Sequence, residues 1–113
     1  GLHLALLGAG VEPGDEVITV SHSYIATANV VRYCGAEPVF IDVDAATFNM
    51  DPALIEAAIT SRTKAILLVH QMGMPADLAA IVAVARKKSG GCVGMPPCSH
   101  SIPERSCLRA MAV

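Results

Sequence analysis

Residues 64–77, Lys-Ala-Ile-Leu-Leu-Val-His-Gln-Met-Gly-Met-Pro-Ala-Asp, constrain the fold more than any other stretch of this chain. The unbroken apolar run Ala65–Val69 gives way at once to a polar loop punctuated by Gly73 and Pro75. A strand with one wet face alternates polar and apolar residues. A run that is apolar throughout belongs to a strand covered on both sides, as in a parallel sheet between helices. In such sheets the carboxyl ends of the strands open into the crevice where small molecules bind. The loop that starts at His70 is therefore a candidate wall of a site.

The chain upstream repeats the alternation. Leu2, Leu4, Ala5, Leu6 and Leu7 form an apolar helical segment that Gly8 and Gly10 can stop. Glu12-Pro13-Gly14-Asp15 is a turn, with Pro presetting φ and Gly accepting the positive φ that follows. Glu16 to Val20 reads as a short strand, and Ser23 as the N-cap of a helix from Tyr24 to Cys34 closed by Gly35. Pro38 to Val43 is the next strand, and Asp51-Pro52 starts the next helix with a capping carboxylate and a first-turn proline. Thr63 to His70 is the third strand, and Asp77 caps a helix from Leu78 to Lys88 whose basic end complements the dipole. The order is α-β-α-β-α-β-α. Connections of this length require parallel strands, near 16–20, 38–43 and 64–70, joined by right-handed crossovers. Residues 89–113 change character, with Gly90-Gly91, Pro96-Pro97, Pro103 and no period of a helix or strand. They are expected to lack stable packed structure.

Composition agrees with an α/β class. Apolar residues make up 53% of the chain but aromatic ones only 4%, which suits helices over a parallel sheet better than a β-sandwich. At 113 residues there is one domain at most. The mean hydropathy of +0.52 points to faces covered by further chain or by a partner subunit. The net charge of −2 draws the chain to neither nucleic acid nor an anionic membrane. No apolar run approaches the roughly 20 residues of a membrane span. The first ten residues have no basic n-region and no initiator Met, so the true start is expected upstream. Cys34, Cys92, Cys98 and Cys107 are spaced too unevenly for a disulfide framework, and a reducing cytoplasm is expected.

Candidate chemistry is sparse. Gly8-Ala9-Gly10 follows a helix where a dinucleotide loop requires a strand, so it reads as a helix stop. Cys92, Cys98, His100 and Cys107 lack the close pairing of structural zinc sites, and no metal is expected. Asp42 and Asp44, at a strand exit, read as turn formers before paired carboxylates. Tyr24, entering a helix from a strand's carboxyl end, is either a stacking platform for a flat ring or core filler, and its position alone does not decide. His70 reads first as a hydrogen-bonded structural residue and second as a catalyst.

Several segments in order resemble the DegT-type sugar aminotransferases. They are Leu2-His3-Leu4-Ala5-Leu6-Leu7, Pro13-Gly14-Asp15-Glu16-Val17-Ile18, Ser23-Tyr24-Ile25-Ala26-Thr27-Ala28-Asn29 and Gly35-Ala36-Glu37-Pro38-Val39-Phe40-Ile41-Asp42. Asn49-Met50-Asp51-Pro52, Thr63-Lys64-Ala65-Ile66 and Val69-His70-Gln71-Met72-Gly73-Met74-Pro75-Ala76-Asp77 follow. Each segment alone is weak, and the ordered set over residues 1–88 is specific. The resemblance implies a three-layer α/β/α fold, part of the large domain of the pyridoxal-phosphate-dependent aspartate-aminotransferase architecture (fold type I). It implies amino transfer from an amino-acid donor to a nucleotide-linked keto-sugar, with pyridoxal 5'-phosphate as cofactor, by a cytoplasmic homodimer. An alternative within the fold is a sugar dehydratase, and one outside the class is a non-catalytic fragment or interaction module.

By the same resemblance Tyr24 matches the aromatic that stacks on the pyridine ring, and residues near Thr27 and His70 line that pocket. The rest of the machinery is not matched. Lys64, Lys87 and Lys88 do not match the family's Schiff-base lysine, so no catalytic residue is expected in this chain. The resemblance also implies a strand ending in Asp-Ala-Ala shortly after Lys88, where the chain has Gly94-Met95-Pro96-Pro97. Met is ATG and Pro is CCN. If the Gly94 and Pro96 codons end in G, reading one base out of step gives GAT-GCC-GCC, which is Asp-Ala-Ala. The expectation is a matching domain over residues 1–88 and, over 89–113, a frameshifted tail, the rival being a genuine divergent one.

Overall fold

The computed structural model describes residues 1–89, 93–94 and 108–112. Helix α1 spans Leu2–Gly8, strand β1 Glu16–Val20, α2 Ile25–Tyr33, β2 Glu37–Ile41, α3 Pro52–Ala58 and β3 Thr63–Val69. A single 3-10 turn, Gln71–Gly73, precedes α4, Leu78–Ser89, and two further strands, β4 (Val93–Gly94) and β5 (Leu108–Ala112). The sheet order is β2-β1-β3-β5-β4. As the connection lengths require, β1 pairs in parallel with β2 on one side and with β3 on the other.

The unbroken apolar run of β3 is explained by layers on both faces. Ile66 and Leu68 share one core with Ile18 and Val20 of β1, Ile55 of α3, and Ile81 and Ala85 of α4. Ala65 and Leu67 share the other with Val17 of β1, Leu6 of α1, and Val30 and Val31 of α2. Successive side chains of a strand point to opposite faces, so two faces need two apolar sets. The result is a three-layer α/β/α arrangement, with α1 and α2 on one side and α3 and α4 on the other. β1 is buried along its whole length because it has a strand on each side and a helix layer on each face. β2 is the edge strand and carries the proline, Pro38, that an edge tolerates.

Local chemistry sets the ends. Asp51 caps α3, its Oδ1 accepting the Ala53 N–H at 2.9 Å, with Pro52 in the first turn. Asp51→Ala is expected to cost about 1 kcal/mol, the usual value of such a cap. A denaturant midpoint shift at unchanged m-value would show it. Gly35 has φ +75°, and a Cβ there would sit 3.1 Å from the Pro13 ring, so only glycine closes α2 against the turn before β1. Asp42 and Asp44 are turn formers, accepting the Val43 and Ala46 N–H groups, each at 2.8 Å. They end β2 at Ile41 rather than at residue 43.

Ser23 is not the cap of α2. Tyr24 occupies the cap position with no side-chain hydrogen bond, and the Ser23 hydroxyl pairs with Thr27 Oγ1 at 2.9 Å. The expectation of no packed structure in residues 89–113 is corrected at β4 and β5. β5 runs antiparallel to β3, with Ala65 opposite Ala112 and Val69 opposite Leu108. The reason is the free side of β3: a buried edge of N–H and C=O groups takes a hydrogen-bonding partner. The tail's cysteines and Met95-Pro96-Pro97 lie outside the described residues.

At the amino ends of the strands, Glu16 is a buried carboxylate with both oxygens used. Oε2 accepts the Thr60 hydroxyl at 2.6 Å and Oε1 accepts Arg62 at 2.7 Å. The β1–β3 register shifts by one residue beside it, from Glu16 opposite Thr63 to Val17 opposite Ala65.

Candidate functional site

Strands β1 and β3 are parallel neighbours, so their carboxyl ends, Val20 and Val69, open side by side. A cleft of about 310 Å³ lies there. Its walls include Leu2 of α1, Ser23 and Tyr24 of the β1–α2 loop, Thr27 in the first turn of α2, and Val69 and Gln71 after β3. This is the position at which small molecules bind in sheets of this kind.

Tyr24 is not core filler. The residue is 79% exposed, at the cap position of α2, where its side chain makes no capping hydrogen bond. A large aromatic left open beside a cleft offers a face to a flat ring. Thr27 is buried, its hydroxyl held by Ser23. The two hydroxyls give the cleft a polar patch among linings that include apolar Leu2 and Val69.

His70, expected to line the pocket, is not among these walls, and Gln71 is. The His70 Nδ1 accepts the Ala76 N–H at 2.9 Å, so the ring closes the loop that follows β3. An Nδ1 that accepts is unprotonated, which fixes the neutral tautomer with its hydrogen on Nε2. The same loop is held from the other side by Asn49, whose Oδ1 accepts the Gln71 N–H at 2.9 Å and whose Nδ2 donates to the Met74 and Pro75 carbonyls at 3.2 and 3.3 Å. Gln71 Nε2 in turn donates to the His22 carbonyl, tying the post-β3 loop to the loop that carries Tyr24. Sequence reasoning did not find the role of Asn49, because its partners lie 22 to 26 residues away. The only local signal is an Asn in a loop, which is what turns ordinarily contain.

The described lysines are elsewhere. Lys64 is at the amino end of β3, five residues before Val69, which places it about 16 Å from the cleft at the usual rise per residue. Lys87 of α4 pairs with Glu56 of α3 at 3.3 Å. Cys34 is buried and burial pushes its thiol up, so the neutral, unreactive form dominates. Among the described residues no group of three His, Cys, Asp or Glu side chains can hold a metal ion, and no helix is long and apolar enough to cross a membrane.

The DegT/DnrJ/EryC1/StrS aminotransferase family matches residues 1–91. The chain is 54% identical over 86 residues to a pleiotropic regulatory protein of Geobacillus stearothermophilus, covering 76% of this chain and 23% of that protein. It is 52% identical over 86 residues to the UDP-2-acetamido-2-deoxy-3-oxo-D-glucuronate aminotransferase of Pseudomonas aeruginosa, covering 76% of this chain and 24% of that protein. Among solved structures, DesV of S. venezuelae superposes with a TM-score of 0.74 at 48% identity, over 76% of this chain and 23% of that one. The chain thus spans about a quarter of the length of the curated relatives it matches. By sequence and by fold, it belongs to the DegT/DnrJ/EryC1/StrS aminotransferase family.

Proposed function

We propose that this chain supplies the ring-holding part of an aminotransferase that uses pyridoxal 5'-phosphate to move an amino group from an amino-acid donor to a nucleotide-linked keto-sugar. The observation that carries the reading is the open face of Tyr24 over a cleft at the carboxyl ends of β1 and β3. The cleft fits a flat heterocycle: one aromatic face, two apolar walls, and hydroxyls at Ser23 and Thr27. When bound, the cofactor supplies a carbonyl that takes up the amino group and a ring that withdraws electrons from the carbon being changed. Tyr24 holds the ring plane. Ser23 and Thr27, bonded to each other, leave one hydroxyl donor for its rim. Leu2 and Val69 exclude water from its edge. The substrate class is supported by the name of the Pseudomonas relative, itself an aminotransferase of a nucleotide-linked oxo-sugar. The exposed Leu4, Leu7 and Tyr33 on α1 and α2 suit an assembly in which that face is covered, and a cytoplasmic homodimer is the form proposed.

In this reading the chain as given binds the cofactor without a covalent bond, since no described lysine reaches the cleft. We also propose that residues from about 89 are translated out of frame. The family match stops at residue 91, while the pairing of β4 and β5 into the sheet counts against an out-of-frame tail. The nucleotide sequence of codons 85–113, read in all three frames, tests this directly. Restoring one base near codon 89 with the downstream frame is expected to give a protein with cofactor absorbance and amino-transfer activity on a nucleotide-linked keto-sugar. A restored protein with neither would overturn the reading. For the chain as given, incubation with pyridoxal phosphate and borohydride reduction should give only scattered, substoichiometric adducts. One stoichiometric adduct at Lys64, Lys87 or Lys88 would contradict it.

The name of the Geobacillus relative favours a second reading, a regulatory protein on an aminotransferase scaffold. A stably folded restored protein that binds no cofactor would support that one.

A further inference from the structure

We infer that Asn49 is a positioning residue for the ring cleft, acting through Gln71 on the loop that carries Tyr24. The inference rests on the reading of Tyr24 as the ring clamp. Asn49 is 4% exposed, in the loop between β2 and α3, and it does not line the cleft. Yet its side-chain amide bonds only to the loop that does. Its Oδ1 accepts from the N–H of Gln71 at the loop's start, and its two Nδ2 hydrogens go to the carbonyls of Met74 and Pro75 near its end. One planar amide therefore spans the turn. The orientation is fixed, since the flipped amide would set N–H against N–H and oxygen against carbonyl oxygen. Between these anchors Met72 is held at φ +50°, a conformation that a side-chain-bearing residue rarely adopts unaided. With its backbone fixed, Gln71 reaches the His22 carbonyl, two residues before Tyr24. The links run Asn49 to Gln71, Gln71 to His22, and His22 along the chain to Tyr24.

No smaller set of roles explains this pattern. A residue needed only to satisfy its own buried amide could bond to its own loop, as Asp44 does with Ala46. Asn49 instead uses its whole side chain on a segment more than twenty residues away. A carboxylate of the same shape would keep the acceptor for Gln71 and lose both donors, facing two carbonyls with an anion.

The test uses the full chain carrying Tyr33→Phe, so that Tyr24 is the only tyrosine and, with no Trp present, the only such fluorophore. In 3-fluorotyrosine-labelled protein, the 19F resonance of Tyr24 reports the loop without any ligand. Quenching of its emission in the unlabelled protein by pyridoxamine 5'-phosphate, which has no aldehyde to react with lysines, reports ring binding. Asn49→Asp and Gln71→Glu are each expected to displace the resonance in the same direction and to weaken binding about three- to tenfold, as the loss of one hydrogen bond does. The double variant should go no further than either single one, because both act on one link. Asn49→Ala, which brings no charge, replaces Asn49→Asp if the buried carboxylate unfolds the chain. A wild-type resonance in a folded Asn49 variant overturns the inference. So does a double variant whose effects are the sum of the singles, since Asn49 would then act on stability alone. If the resonances couple as expected but the unsubstituted chain binds no pyridoxamine phosphate, the positioning link stands and the cofactor reading falls.

Discussion

Leu68→Ala is expected to destabilise the chain by about 3 kcal/mol, and Leu67→Ala by a similar amount. Both side chains are fully buried, at 0% exposure, and they are neighbours in sequence. They face opposite ways. Leu68 packs in the core beneath α3 and α4, and Leu67 in the core beneath α1 and α2. Truncation in either place removes buried methyl groups and leaves a cavity that a parallel sheet between helices cannot close. For a domain of this size the loss lowers the melting temperature by roughly 10–20 °C. Phe40→Ala on the edge strand, where the ring is half exposed, should cost well under half as much. Thermal melts followed by far-UV circular dichroism decide the matter. A chain that tolerated one leucine truncation but not the other would have only one covered face, and the three-layer arrangement would be wrong.

Tyr24→Ala should weaken binding of pyridoxamine 5'-phosphate about tenfold, the scale of one ring-stacking contact. Tyr24→Phe should bind within about twofold of the unsubstituted chain, because stacking needs the ring and not the hydroxyl. Neither change should move the melting temperature by more than about 2 °C, since an exposed side chain contributes little to folding. Equilibrium dialysis measures the affinity without relying on tyrosine emission. Equal affinity of all three proteins would remove Tyr24 from the site. A large stability loss in Tyr24→Ala would mean that the ring is packed rather than presented.

What could be read in advance was local or periodic. The apolar run of β3 and its abrupt end located the sheet and the cleft at its carboxyl end, because burial on two faces leaves an unmistakable pattern. Asp51-Pro52 marked a helix start because its cap bonds only two residues along. Ser23 misled, because a serine before a helical pattern has two partners within reach and here it bonds Thr27 rather than the backbone. His70 accepts the Ala76 N–H while Gln71, the next residue, lines the cleft, a difference of one loop position that the sequence does not mark. Asn49 stood in a segment that resembles the family, but its role was invisible, because an amide that organises a distant loop has the same local sequence as one that merely turns the chain. The strand Leu108–Ala112 was also missed, for it exists only because β3 has a side left to pair.

Glu16, at the end of the sheet away from the cleft, has a reach that its position conceals. A strand apolar on both faces carries no alternation to say which residue should face which helix layer, so packing alone leaves β3 free to slide by one position. The single-residue offset at Lys64 removes that freedom, and Glu16 pins it by gripping Thr60 and Arg62 on the segment entering β3. A slip there would carry Val69 and the loop beyond it about 3.3 Å along the strand and exchange the faces of every side chain on the way. The salt bridge at the foot of the sheet is thus a ruler whose far mark is the position of Gln71.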